Sequence, residues 1–212
     1  MSFLSTNLLT VITFLPAVGA LILLFIPGRD EASANAVRWI SLVVTLITFA
    51  LSLWLWGQFD SADPGFQFVE NVAWIGDSIG YRMGVDGISV MFIPLTALLM
   101  VAVIISSWGS VSARIREYFI VFLILETLML GVFATLDLAM FYVFFEGTLI
   151  PMFLIIGIWG GPRRIQATFK FFFYSFIGTV LMLLAIMAMY WQAGTLDIRE
   201  MLQFSFPPEV QF

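Results

Sequence analysis

The stretch "FYVFFEGTLIPMFLIIGIW", Phe141 to Trp159, is nearly unbroken hydrocarbon holding one ionisable group, Glu146, with Pro151 five residues later. A bilayer core of about 30 Å needs roughly 20 apolar residues as helix. This run meets that length and is too continuous to alternate between two faces, so it reads as a membrane-spanning helix. The rest of the chain agrees. Of 212 residues 61% are apolar and 11% charged, with a mean hydropathy of +1.04. Soluble domains carry about 25% charged residues, so this supply cannot clothe a water-exposed surface. The expected class is an all-α, polytopic integral membrane protein forming one membrane domain over residues 1–212.

Six windows qualify as spans, near residues 8–26, 37–56, 88–108, 118–135, 138–158 and 169–191. The first run follows no Lys or Arg and exceeds signal-peptide length, so it reads as a retained span. The connection 58–87 carries Asp60, Asp63, Glu70, Asp77 and Asp86. It alternates around Val72–Ile75 and Ile79–Val85, which predicts a short β-hairpin on the membrane surface. Asp86 and Asp137 stand where N-caps of the third and fifth spans belong. Loops one, three and five carry Arg29, Arg38, Arg114, Arg116, Arg163 and Arg164, against Arg82 and Arg199 on the other side. The positive-inside rule then puts both chain ends outside.

Composition excludes several functions. There is no basic patch, so no nucleic acid partner is expected. The chain has no Cys and no His, which argues against a bound cofactor, a metal site or a redox centre here.

The charges expected within the hydrocarbon are Glu126, Glu146 and Lys170. Nine residues after Asp137, Glu146 lies roughly 13 Å below one boundary, and Glu126, eight after Tyr118, lies roughly 12 Å from the other. A charge at that depth costs about 2.5–3.5 kcal/mol, so a partner, water or a bound proton is required. Pro151 lacks the N–H that would serve the Gly147 carbonyl, and Gly147 weakens the helix further. Glu146, Gly147 and Pro151 together predict a broken, hydrated turn beside the carboxylate. Simpler readings stand beside this one. Pro151 could be a kink alone, Glu126 and Glu146 neutral hydrogen-bonding groups between helices, and Lys170 a side chain snorkelling to the inner surface. Lys170 starts its span, more than about 10 Å from the level of Glu146, so any coupling would run through water or through Thr148 and Ser175. Two carboxylates and a lysine, each able to change charge, suit a proton relay.

"DLAMFYVFFEGTLIPMFLIIGIWG" (Asp137 to Gly160), "RRIQATFKFFFYSFIGT" (Arg163 to Thr179) and "GVDGIS" (Gly84 to Ser89) resemble the subunit M family of bacterial NADH:quinone oxidoreductase, equivalent to subunit 4 of mitochondrial complex I. The resemblance implies a proton-translocating, antiporter-like subunit with Glu146 as the essential glutamate of the fifth span. Lys170 matches a lysine of bacterial relatives, and no family role transfers to Glu126. It further implies the N-terminal part of an inverted-repeat fold whose second half is missing. The implied setting is a bacterial or mitochondrial inner membrane, beside other antiporter-like subunits of complex I and lipid. FMN, iron–sulfur clusters and quinone would belong to partner subunits. A multisubunit cation/proton antiporter subunit and a structural membrane scaffold are the alternatives.

Overall fold

A computed structural model describes residues 7–28, 30–75 and 79–208. In chain order these form α1 (Leu8–Leu24), α2 (Glu31–Gln58), β1 (Gln67–Ile75), β2 (Ile79–Val85), α3 (Ser89–Ser106), α4 (Ile115–Ala134), α5 (Leu138–Gly147), α6 (Leu149–Trp159), α7 (Arg164–Ala193) and the single turn α8 (Ile198–Met201). Five stretches are long and apolar enough to cross a bilayer: α2, α3, α4, α5 with α6, and α7. The first of the six expected spans, α1, is an apolar helix of 17 residues, about 26 Å long.

Helix starts differ from the hydropathy windows for a physical reason. Hydropathy marks where oil begins, whereas caps mark where helix begins. Thus α2 starts six residues early, at Glu31, because Asp30 and Ser33 cap each other: the Ser33 hydroxyl donates to Asp30 Oδ1 at 2.7 Å and the Asp30 N–H donates to Ser33 Oγ. Arg38 therefore stands in helix, not in a loop. Helix α7 also starts early, at Arg164, one residue after the Gly160-Gly161-Pro162 turn and without a side-chain cap.

At the centre stands α4. It packs against α1, α2, α3, α5 and α6, while α7 leans mainly on α6. Two apolar clusters form the core. One, at the arginine-rich end, gathers Leu23, Val37, Ile104, Phe119 and Leu123. The other, at the hairpin end, gathers Leu9, Ile12, Leu55, Ile93, Leu130 and Phe144. Helices approach closely where side chains vanish. A Cβ on Gly131 would lie 2.5 Å from the Phe144 ring, and one on Gly19 would lie 2.8 Å from Val44.

The hairpin exists, with β1 and β2 antiparallel and Val72 opposite Tyr81. Its turn, including Asp77, lies outside the described residues. It does more than lie on a surface, because Met83 and Val85 are fully buried in the hairpin-end cluster. Glu70 reaches the start of α1, where its carboxylate accepts from the N–H of Leu9 at 2.8 Å, the N–H of Thr10 and the Thr10 hydroxyl. An acid there satisfies orphan amides and opposes the positive helix end. Tyr81 joins through Thr10 at 2.5 Å. Burial pushes the Tyr81 phenol up, and the Thr10 bond partly offsets that.

Both expected caps form. Asp86 Oδ1 accepts from the N–H of Ser89 at 2.7 Å and of Ile88 at 3.1 Å. Asp137 Oδ1 accepts from the N–H of Ala139 and Met140. Its other oxygen takes the Arg82 guanidinium at 2.8 Å and the Gly80 N–H. Arg82 Nε also lies 3.5 Å from Asp197, which Arg199 holds at 2.6 Å. Backbone bonds run alongside, Leu136 N–H to the Arg82 carbonyl and Leu138 N–H to the Leu196 carbonyl. The hairpin, the start of α5 and the segment after α7 are thereby clasped together.

Candidate functional site

Glu146 is the penultimate residue of α5, and the fifth span breaks one residue after Gly147. The reason is local. Pro151 has no N–H for the Gly147 carbonyl, and the chain tightens instead. The Thr148 N–H is shared between the carbonyls of Phe144 and Phe145, at 3.3 and 3.1 Å. Regular bonding resumes with Met152 N–H to the Thr148 carbonyl. Gly147 also admits α4, since a Cβ there would stand 2.9 Å from Leu128. The expected broken turn is present.

The carboxyl of Glu146 is half-buried, and its Oε2 is buried without a hydrogen bond. One turn earlier, Tyr142 reaches Thr179 on α7. Phe145 and Thr148, on either side of Glu146 in sequence, line an open cleft of about 480 Å³ between α5, α6 and α7, whose other polar lining is Tyr174, Ser175 and Thr179. Thr148 and Ser175, the polar neighbours expected from sequence, are thus brought to one cavity. Thr148 and Thr179 donate to the carbonyls of Phe145 and Phe176 one turn back, so each hydroxyl oxygen keeps acceptor capacity.

Lys170 stands elsewhere. It is exposed on the second turn of α7 and lines a separate cavity of about 450 Å³ with Gly160, Arg163, Arg164 and Gln166. Helix rise explains the separation: Lys170 is six residues from the start of α7, whereas Glu146 is thirteen from the end of α6, leaving about 10 Å between their levels. Glu126 is in a third place. It is fully buried within α4, and neither carboxyl oxygen has a hydrogen-bond partner. The three candidates therefore do not form one cluster.

Sequence reasoning overlooked the buried face of α2. Ser41, Thr45, Thr48 and Ser52 are each fully buried. Their spacing of four, three and four residues was a readable signal, because it puts four hydroxyls on one helical face. It also overlooked Glu70 as a cap and Arg82 as a partner of Asp137, since both pairings span more than fifty residues.

The chain is similar to several known proteins over most of its length. Subunit M of NADH-quinone oxidoreductase from Rhodobacter capsulatus is 54% identical over 202 residues, 95% of this chain and 39% of the relative. The chain is homologous to subunit M. Chain 4 of NADH-ubiquinone oxidoreductase from Prototheca wickerhamii is 44% identical, over 96% of this chain and 42% of its own. Residues 134–210 match the family described as NADH:quinone oxidoreductase/Mrp antiporter, TM. Among solved structures, respiratory complex I from Thermus thermophilus contains a chain that superposes with a TM-score of 0.79 and 26% identity, covering 96% of this chain and 41% of that one. The chain thus spans about two fifths of the length of these relatives. It is a membrane protein of the antiporter-like architecture, and the matched family region begins just before Asp137 and includes Glu146 and Lys170.

Proposed function

We propose that this chain is the N-terminal part of a proton-translocating membrane subunit of NADH:quinone oxidoreductase, with Glu146 as its relay carboxyl. The observation that carries the reading is the placement of Glu146: a carboxyl at a broken turn of a spanning helix, in a chain homologous to subunit M. Electron transfer from NADH to quinone would proceed in partner subunits that hold FMN and iron–sulfur clusters. This chain would respond when altered charge nearby favours or disfavours a proton on Glu146. Protons would move between Glu146, Tyr142 and the hydroxyl-lined cleft toward α7. Lys170, with Arg163 and Arg164, would supply positive charge at the arginine-rich end, which the positive-inside rule assigns to the cytoplasm or matrix. Neighbouring membrane subunits of the same assembly and lipid would cover the apolar faces, in a bacterial or mitochondrial inner membrane.

The test is Glu146→Gln in the full-length subunit, assembled in its complex and studied in sealed vesicles. Proton pumping falls by about tenfold or more while the complex assembles, since a positioned proton-transfer group typically contributes at least that much. Full pumping by an intact Glu146→Gln complex would leave the chain a scaffold. A cation/proton antiporter subunit is the second reading, because the matched family description names Mrp antiporters as well. Proton movement that requires sodium and ignores NADH would favour it.

A further inference from the structure

Between the two apolar clusters of the core lies a layer to which every one of the first four helices contributes a buried polar side chain. On α4, Glu126 stands between Leu123 of one cluster and Leu130 of the other, on the same helical face. On α2, Thr45, Thr48 and Ser52 fall between Val44 and Leu55. On α3, Thr96 falls between Ile93 and Ile104, and on α1, Thr13 falls between Ile12 and Ala20. None of these side chains is more than 4% exposed.

The hydrogen bonds of this layer are incomplete in a particular way. Thr45, Thr48, Ser52 and Thr96 each donate to a carbonyl one turn back on their own helix, at 2.7 to 3.1 Å. Each hydroxyl oxygen thus keeps acceptor capacity. Both oxygens of Glu126 are buried without a partner. A layer rich in acceptors at the level of an unpaired carboxyl calls for a donor, and among the described residues of α1 to α4 no basic side chain stands between the two clusters. A leucine at position 126 would pack there without that need.

We propose that Glu126 is a second proton-binding site, separate from Glu146, whose proton exchanges through water held among the hydroxyls of α1, α2 and α3. In the loaded state the acid donates to an acceptor of the layer. On release its O–H bond breaks, the proton passes to a water, and hydroxyl hydrogens swing from their own-helix carbonyls to the carboxylate. Water is suited to the place because it needs two to four polar partners, and the layer supplies them. This site stands whether or not Glu146 carries protons, since the two carboxyls lie on different helices with different surroundings.

The experiment is infrared difference spectroscopy of the full-length subunit in its assembled complex, with exchange of H2O for D2O during NADH turnover. The expected result is a protonated-carboxyl C=O band that shifts in D2O, is lost in Glu126→Gln and persists in Glu146→Gln. Persistence in the second variant makes the outcome independent of Glu146. Absence of such a band, its survival in Glu126→Gln, or a band that never shifts in D2O overturns the proposal. Should Glu126→Gln not assemble, Thr48→Val with Thr96→Val keeps the acid but removes two of its acceptors. The band then moves to higher frequency and exchanges more slowly, and an unchanged band overturns the proposal equally.

Discussion

Two spanning helices of this chain, α4 and α7, are opposites in everything but apolarity. Half of the most apolar window of α4 is buried, against 11% of that of α7. Helix α4 packs against five other helices, α1, α2, α3, α5 and α6, so its side chains are chosen by packing, and Gly131 leaves room for the Phe144 ring. Helix α7 carries Phe173, Tyr174, Leu181 and Trp191 largely exposed, and it packs along one side only, mainly on α6, with polar contacts at both ends. At one end Arg164 donates to the Ile158 carbonyl at 2.7 Å, and beyond the other lies the clasp of Asp197, Arg82 and Asp137. The same contrast separates the carboxyls: Glu126 sits on the enclosed helix and Glu146 on the helix facing the loosely held one. Polar chemistry in oil is thus divided between a closed interior and an open flank.

The largest expected effect comes from breaking the clasp. Asp137→Ala removes a fully buried carboxylate and leaves Arg82, 15% exposed, without its main partner, a loss of about 3–5 kcal/mol. Hydrogen exchange of residues 194–201 should then accelerate strongly while α4 stays protected. Equal loss of protection in both would mean that α7 has no separate anchor. Next comes Leu130→Ala, in the fully buried core of α4, at about 2–5 kcal/mol by cavity formation. Gly131→Ala should follow at about 1–3 kcal/mol, because the added methyl meets a ring that cannot yield. Gly147→Ala should cost less, as it meets only the flexible end of Leu128. Thermal unfolding of the purified complex ranks these variants.

A smaller effect is expected from acid. Burial tends to raise the Asp197 carboxyl, but hydrogen bonds from Arg199 and the charges of Arg199 and Arg82 hold it below the usual carboxylate range. A depressed folded value gives stability that is present above the unfolded pKa of about 3.9 and lost as pH falls through the folded one. The clasp should therefore loosen only below about pH 4, read as faster exchange around Ile198. The smallest effect should be Leu181→Ala on the open flank, 62% exposed, within about 0.5 kcal/mol. A large loss there would erase the contrast between the two helices.

Much of this was legible in the residues alone. Five of the six expected spans, the hairpin, the caps at Asp86 and Asp137, and the break around Gly147 and Pro151 follow from hydropathy, alternation and missing N–H groups, all of which are local. What was not legible was pairing. The Glu70 cap on α1 joins positions 61 apart, and the Arg82–Asp137 bond joins positions 55 apart. The polar layer around Glu126 needs four helices at once.

Sequence by itself determined that the chain lives in a membrane, that it is helical, and that few charges enter the oil, because transfer energies and backbone hydrogen bonding depend on residue type and near neighbours. Only tertiary structure decided that Glu126 is fully buried inside the bundle while Glu146 stays half-buried at its flank, because helix packing sets which face of each span meets another, and no local rule encodes that rotation.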